Sequence, residues 1–315
     1  MTLLLSRNDI QDLLTMEQAI RCTERVFQEQ AQGRVNAWAP FVVGHDDHEL
    51  RVNAGALAGF RRAGLRFSMK GAGLAALYDT ESESLLCLMA YPWTYLRVGA
   101  TVALSVRLLA KREAKRLLII GTGRISRASL HGISCLHAFE RVQVYSRQAT
   151  NREKFCQDAK HQFSVDAEPV ADLETAVGDA DVIVIATSAE HPVLRHEWLA
   201  KEAHISTAGI RCELDEEIYL NAGRVYVGSK VHEQNYVGWI DETNANTLVR
   251  LTREGRLSWE QISELGEIAG SRLTRPPGIS VFRESQGGFG DVALAHHVYA
   301  EATKQGKGIS WNINS

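Results

Sequence analysis

The residues Leu117–Ser126 read LLIIGTGRIS, an aliphatic run that stops at two glycines one residue apart. Such a pair can simply make a tight turn, so its context decides its meaning. Here Gly121 and Gly123 follow a strand-like run and lead into a helical segment. Gly121 can turn sharply, Gly123 lets the backbone approach a pyrophosphate, and the unpaired N–H groups of the helix start favour an anion. Thr122, Arg124, Ile125 and Ser126 complete the loop, and Ser126 is small enough to keep helix and strand close. Roughly twenty residues on, a dinucleotide fold places an acid for the ribose 2′-hydroxyl. This chain has Ser146, Arg147, Asn151 and Arg152 there instead. A hydroxyl and two guanidiniums suit a 2′-phosphate, so NADP(H) is expected over NAD(H). Thr187 and Ser188 follow another aliphatic run, DVIVIAT, at a strand end where such ligands bind. Arg97 is a different signal, a charge inside the apolar segment YLRVGATVALSV, costly unless paired or facing a cavity.

The elements that would position these groups are readable in outline. SRNDIQDLLTMEQAIRCTERVFQEQAQG has helical spacing, with Ser6 and Thr15 as N-caps and Gly33 as a stop. From about Val42 to Met89 the pattern shortens to strand-like pieces, which predicts a small, mostly antiparallel sheet. Tyr95 to Ala110 reads as one helix. Beyond residue 112, LLIIG, RVQVYS, DVIVIAT, HISTAG and RVYVGS alternate with helical segments, the pattern of a parallel sheet covered on both faces. WEQISELGEIAG reads as helical, and so does DVALAHHVYAEATKQG, with Asp291 as its N-cap after the turn GGFG.

Composition narrows the function class. The 315 residues carry a formal net charge of −3 with both signs interleaved, which argues against nucleic acid or an anionic membrane as partner. The five cysteines form no CxxC pair and read as free thiols in a reducing compartment. No run approaches the roughly 18 apolar residues of a membrane helix, so a cytoplasmic location is expected. Histidines including His45, His48, His191, His196, His204, His296 and His297 show no ligand spacing, and no metal site is expected.

These motifs, in order, resemble the ornithine cyclodeaminase/mu-crystallin family. The resemblance runs from LLLSRNDIQDLLTMEQAIRCTERVFQEQAQG through LRVGATVALSVRLLA, LLIIGTGRISRASLHGI, VQVYSRQATNREKF, DADVIVIATSAEHPVL and CELDEEI to DVALAHHVYAEATKQGKG. It implies an α/β fold with a Rossmann dinucleotide-binding domain, residues 113–287, inserted into an α+β substrate-binding and dimerisation domain, residues 1–112 completed by 288–315. It implies hydride transfer at an amino-acid α-carbon by an imino-acid or ketimine reductase or an amino-acid dehydrogenase, working as a homodimer. It selects Arg51 in ELRVNAG, Lys70 in RFSMKG and Arg97 in LRVGA as the catalytic cations, which hold the substrate carboxylate, with Lys70 assisting proton movement. Val292 is expected near the nicotinamide on the same ground. Arg51 and Lys70 lie in alternating segments, where either face is open to them.

The chain also departs from the family. Many members carry an aspartate in a loop resembling GxDxxGKxEL, whereas this sequence reads AGIRCELDEE, with Ile210, Arg211 and Cys212 before the matching ELD. Ornithine cyclisation, which leans on that carboxylate, becomes the secondary reading, and simple imine reduction survives. An arginine in place of an acid also suggests a substrate with a second carboxylate. A non-catalytic NADPH-binding protein of the mu-crystallin type is the alternative outside enzymes.

Overall fold

A computed structural model describes residues 1–45, 48–69, 72–209, 212–235, 246–270 and 277–312. Two eight-stranded sheets organise them. The first draws on both ends of the chain: β1 (Thr2–Leu5), β2 (Val35–Ala37), β3 (Phe41–His45), β4 (His48–Leu57), β5 (Arg62–Met69), β6 (Ala72–Asp79) and β7 (Leu85–Ala90) are joined by a strand at Ile309–Trp311. Neighbouring strands of β4 to β7 pair antiparallel, β1 pairs parallel to β7, and the last strand pairs antiparallel to β1. The sheet is thus larger than the sequence pattern predicts, because its outer members come from chain segments too short to show a period.

The second sheet consists of β8 (Arg116–Ile120), β9 (Arg141–Tyr145), β10 (Ala167–Val170), β11 (Val182–Ile185), β12 (His204–Thr207), β13 (Arg224–Val227), β14 (Ile262–Glu264) and β15 (Ser280–Arg283). The C-terminal strand of the first sheet is therefore β16. The order is β10-β9-β8-β11-β12-β15-β13-β14, with every pair parallel. LLII of β8 and VIVI of β11 read as unbroken aliphatic runs because helices cover both faces, so no alternation is needed.

The helices are α1 (Arg7–Ile10), α2 (Met16–Ala31), α3 (Thr94–Leu109), α4 (Arg124–Ser134), α5 (Ala149–Phe163), α6 (Leu173–Asp179), α7 (Glu216–Leu220), α8 (Lys230–Asn235), α9 (Thr247–Arg253), α10 (Leu265–Ala269) and α11 (Gly288–Lys304). Ser6 and Thr15 do cap α1 and α2, each closing a capping box. Gly33 follows α2 with φ +66°, the left-handed stop that glycine permits. Two local readings need correction. The residue Asp291 is not the N-cap of α11; Gly287, at φ +70°, occupies that position, and Asp291 sits one turn in. WEQISELGEIAG is not one helix, since Ile262–Glu264 first pairs with β13 as β14 and only then turns into α10.

α11 lies on the inner face of the first sheet at very short range. A Cβ on Gly55 of β4 would come within 2.6 Å of the Phe289 backbone nitrogen, and one on Gly288 within 2.3 Å of the Ala54 carbonyl oxygen. Phe289 meets Phe27 of α2 edge-on, ring centroids 6.2 Å apart, so helix, sheet and N-terminal helix share one core. α3 then spans from this core to the second sheet, where Ser105 Oγ meets Ser206 Oγ of β12 at 2.7 Å.

Candidate active site at the junction of the two sheets

The glycine loop connects β8 to α4. Gly121 has φ +105°, and a Cβ there would lie 2.2 Å from the Ala186 carbonyl oxygen, so no other residue fits without moving the backbone. Gly123 is the N-cap of α4, with no side-chain hydrogen bond at that cap. A Cβ on it would meet nothing within 4 Å. The loop therefore has open space directly beside a helix start whose N–H groups are uncapped by any side chain, a fit for the pyrophosphate of a dinucleotide. Ser126 is fully buried and donates to the Ala186 carbonyl oxygen at 3.3 Å, tying α4 to the end of β11. Thr122, Arg124 and Ile125 border the same opening, with Arg124 exposed.

At the end of β9 the loop is braced by its own side chains. Ser146 Oγ donates to the Gln148 carbonyl at 2.9 Å, Arg152 Nη1 donates to the Ser146 carbonyl at 2.9 Å, and Asn151 Nδ2 donates to Gln148 Oε1 at 2.9 Å. Arg147 stands exposed beside them. The first turn of α5 contains no acid. At the end of β11, Thr187 is claimed by the protein. Its N–H and hydroxyl donate to Glu213 Oε1 at 2.6 and 2.7 Å, while Glu213 Oε2 accepts from Thr207 Oγ1 at 2.6 Å and the Gly209 N–H at 2.9 Å. Glu213, the acid of CELDEE, is thus a buried clamp across the ends of β11 and β12, whereas Ser188 is exposed. Val292 is buried with a methyl 3.3 Å from the Cβ position of Gly64, so it packs on the first sheet rather than beside the loop.

The cations come from the other side. Strand alternation resolves the ambiguity over Arg51. The row Asn53, Arg66, Ala75, Met89 faces α11, and Arg51 lies on the same face as Asn53, two residues along β4. Its guanidinium is 3.9 Å from Glu49. Lys70, Ile210 and Arg211 lie outside the described residues.

Arg97 is buried in α3 and enters a dense ionic cluster. Nη1 donates to Glu284 Oε1 at 2.9 Å and Gln286 Oε1 at 3.2 Å, and Nε is 3.1 Å from Asp291 Oδ1. Burial opposes its charge, but the Glu284 and Asp291 carboxylates outweigh that and hold the guanidinium more firmly protonated than in water. Asp291 also accepts from Arg66 Nε at 3.0 Å and the Tyr91 hydroxyl at 2.7 Å. Burial, and then the Asp291 charge, push the Tyr91 hydroxyl well above its ordinary range. Beyond this cluster, Arg283 is buried against Glu233 at 2.9 Å. His232 in α8 lies 3.1 Å, through Nδ1, from the Cβ position of Gly287. Burial and the fields of Arg97, Arg283 and Arg51 pull it down to about 3, so it is a neutral imidazole at ordinary pH.

α3 links the glycine loop to the ionic cluster. Arg124 of the glycine loop lies 5.4 Å over the ring of Tyr95, two residues before Arg97. Gly99 and Gly132 let α3 and α4 touch, since a Cβ on Gly99 would come within 2.4 Å of the Ala128 carbonyl. Sequence reasoning missed Arg66, Tyr91, Glu284 and Gln286. Only the charge of Arg97 inside an apolar helix, costly unless paired or facing a cavity, pointed toward them.

Comparisons with known proteins agree with this architecture. A Delta(1)-pyrroline-2-carboxylate reductase of Bacillus cereus is 30% identical over 245 residues, 75% of this chain and 73% of that protein. The iminosuccinate reductase of Paracoccus denitrificans in complex with NAD+ superposes with a TM-score of 0.87 at 22% identity, covering 98% of this chain and 99% of its own. The Thermococcus litoralis Delta(1)-pyrroline-2-carboxylate reductase in complex with NADH and L-proline has a TM-score of 0.84 at 22% identity, over 98% and 100% of the two chains. A sequence model of the family matches residues 1–306, and the chain belongs to the ornithine cyclodeaminase/mu-crystallin family.

Proposed function

We propose that this protein is an NAD(P)H-dependent oxidoreductase that acts on the C–N bond of an imino or amino acid, in the reductive direction as an imino-acid or ketimine reductase. The observation that carries the reading is the contact of α3 with α4, which ties the helix that carries Arg97 to the helix that starts at the glycine loop. The cofactor, when bound, supplies a hydride to the imine carbon. The chain's own residues do the rest. Arg51 and Arg97 hold the α-carboxylate, fixing the carbon in one orientation, and Lys70 assists the proton that the nitrogen takes up. The 30%-identical pyrroline-2-carboxylate reductase and the iminosuccinate reductase neighbour support an imine as substrate.

NADP(H) is the preferred form in this reading. Support comes from the end of β9, where Arg147 and Arg152 flank an acid-free helix start. A second carboxylate on the substrate is the finer part, resting on Arg211 in the sequence. The protein works as a homodimer through the outer face of the first sheet. The cross-strand row Phe41, Val52, Phe67, Leu74, Ala90 crosses five strands with apolar side chains, and Phe41, Val43, Met69 and Leu74 are exposed. An open apolar face of that extent marks an interaction surface.

The test is to follow NADPH and NADH oxidation over cyclic imino acids, imino diacids and 2-oxo acids with ammonia or methylamine. Turnover of one imine class with NADPH favoured is expected. Tight NADPH binding without turnover across the panel would instead support a binding protein.

A further inference from the structure

The start of α4 concentrates positive charge. The helix dipole has its positive end at Gly123, the first turn contains no acid, and the first helical residue is Arg124. A guanidinium at that end of a helix is unfavourable unless an acid or a bound anion answers it. Arg124 has no ion pair among the described residues. Arg127, three residues on, is paired with Asp158 at 2.7 Å, so the arginine that goes without a carboxylate is the one at the glycine loop.

What holds Arg124 comes from α3. Its Cζ lies 5.4 Å from the centre of the Tyr95 ring, within the range of a cation–π contact, while Nη1 is 3.5 Å from the Tyr95 hydroxyl, too long for that atom to fix it. Tyr95 stands in the first turn of α3 and is 40% exposed. It reaches the start of α4 because Gly99 and Gly132 let the two helices close on each other. The ring face therefore confines a side chain that is otherwise exposed. Next to it, a Cβ on Gly123 would meet nothing within 4 Å, so the space beside the loop is open. Side chains of a helix lean toward its N-terminus, which directs Arg124 over the loop and not along α4.

We propose that Arg124 binds the pyrophosphate of the nicotinamide dinucleotide and that Tyr95 is the positioning residue that holds it there, a role that rests on the dinucleotide-dependent reading above. The guanidinium adds a charged donor to the N–H groups of the loop, and its planar fork suits two phosphate oxygens at once. Because the tyrosine ring already restricts the arginine, less side-chain freedom is lost when the anion arrives. Cofactor affinity is thus set in part by a residue of α3, two positions before Arg97.

The experiment titrates NADPH and NADH, by quenching of protein fluorescence, into wild type, Arg124→Ala, Arg124→Lys, Tyr95→Ala, Tyr95→Phe and the double variant Tyr95→Ala with Arg124→Ala. Wild type that binds neither dinucleotide defeats the parent reading, and this proposal with it. Arg124→Ala is expected to raise Kd for the tighter dinucleotide about tenfold or more, as for a lost charge-assisted hydrogen bond, and Arg124→Lys to recover part of the loss. Tyr95→Ala is expected to raise it about three- to fivefold, whereas Tyr95→Phe, which keeps the ring, stays within about twofold of wild type. The double variant is expected to bind no more weakly than Arg124→Ala, since Tyr95 acts through the arginine. Adenosine 2′-monophosphate, competing for the same site without a pyrophosphate, is expected to bind all of them equally. Arg124→Ala with Kd within twofold of wild type would take the arginine out of the cofactor site and overturn the assignment. An unchanged Kd in Tyr95→Ala, or a Tyr95→Ala effect that persists undiminished in the Arg124→Ala background, would overturn the positioning role. Equal loss of affinity for adenosine 2′-monophosphate in every weakened variant would make the pair a structural contact of the two helices, which overturns the proposal as a whole.

Discussion

Asp291 holds Arg66, Arg97 and Tyr91 at once, so the proposed carboxylate site depends on its charge. Asp291→Asn removes the charge and leaves two buried guanidiniums each short of a partner, which costs about 3–5 kcal/mol in comparable buried pairs. Urea denaturation of this variant is expected to show a loss of that order, with a raised KM for the imino acid. Gly121→Ala forces a Cβ onto the Ala186 carbonyl at a positive φ, and strain of about 1–3 kcal/mol with loss of NADPH quenching is the expected result. At the same scale, Arg147→Ala with Arg152→Ala is expected to raise KM for NADPH about tenfold or more, a difference of about 1.4 kcal/mol. KM for NADH is expected to be unchanged, and an equal rise for both cofactors would remove the case for NADP(H) preference. Gly121 and Arg97 were legible in the sequence because their signals are local: a glycine pair after an aliphatic run, and a charge inside an apolar helix. Asp291 was not legible as a partner, since Arg66 and Tyr91 are 225 and 200 residues away along the chain.

At the scale of elements, α3 is the part on which both halves of the site depend. It carries Tyr95 toward the glycine loop, Arg97 into the ionic cluster and Ser105 onto β12. Its closeness to α4 comes from Gly99 and Gly132, where any side chain would collide with backbone of the other helix. Gly99→Ala is expected to cost about 1–3 kcal/mol by overpacking. Because the two helices move apart together with what they carry, NADPH affinity and imino-acid KM should both worsen, measured by fluorescence and by initial rates. Damage to stability alone, with both parameters intact, would dissociate the site from this contact. The helices themselves were readable from periodicity and caps, whereas β14 was not, because a three-residue strand followed by a helix leaves no pattern of its own.

For the whole molecule, the outer face of the first sheet and the half-buried His296 set two testable conditions. Sedimentation is expected to give a dimer, and Leu74→Lys, placed in the exposed apolar row, is expected to give a monomer. Burial, with the fields of Arg62 and Arg25, lowers His296 to about 4, against a usual value of 6.5. A histidine lowered on folding stays neutral in the native state while the unfolded chain takes up a proton. Stability is therefore expected to fall as pH drops from about 6.5 toward 4, by up to about 1.4 kcal/mol per pH unit for this group. His296→Gln should flatten that part of the curve in denaturant titrations, and an unchanged slope would exclude His296 as its source.

The sequence by itself determined the parallel-sheet domain, the glycine loop and a charge at Arg97 that had to be paired or face a cavity, because these follow from short-range steric and hydration rules. It also set the face of α2 and its capped start, since Thr15 and Gln18 satisfy each other within one turn. Only the tertiary structure decided that Arg51 faces inward, since strand alternation allows either face until α11 covers one of them. Only it decided that Glu213 clamps two strand ends and that Glu284 pairs with Arg97. Those assignments depend on which charges meet across the two sheets, and a one-dimensional pattern carries no record of encounters between residues so far apart.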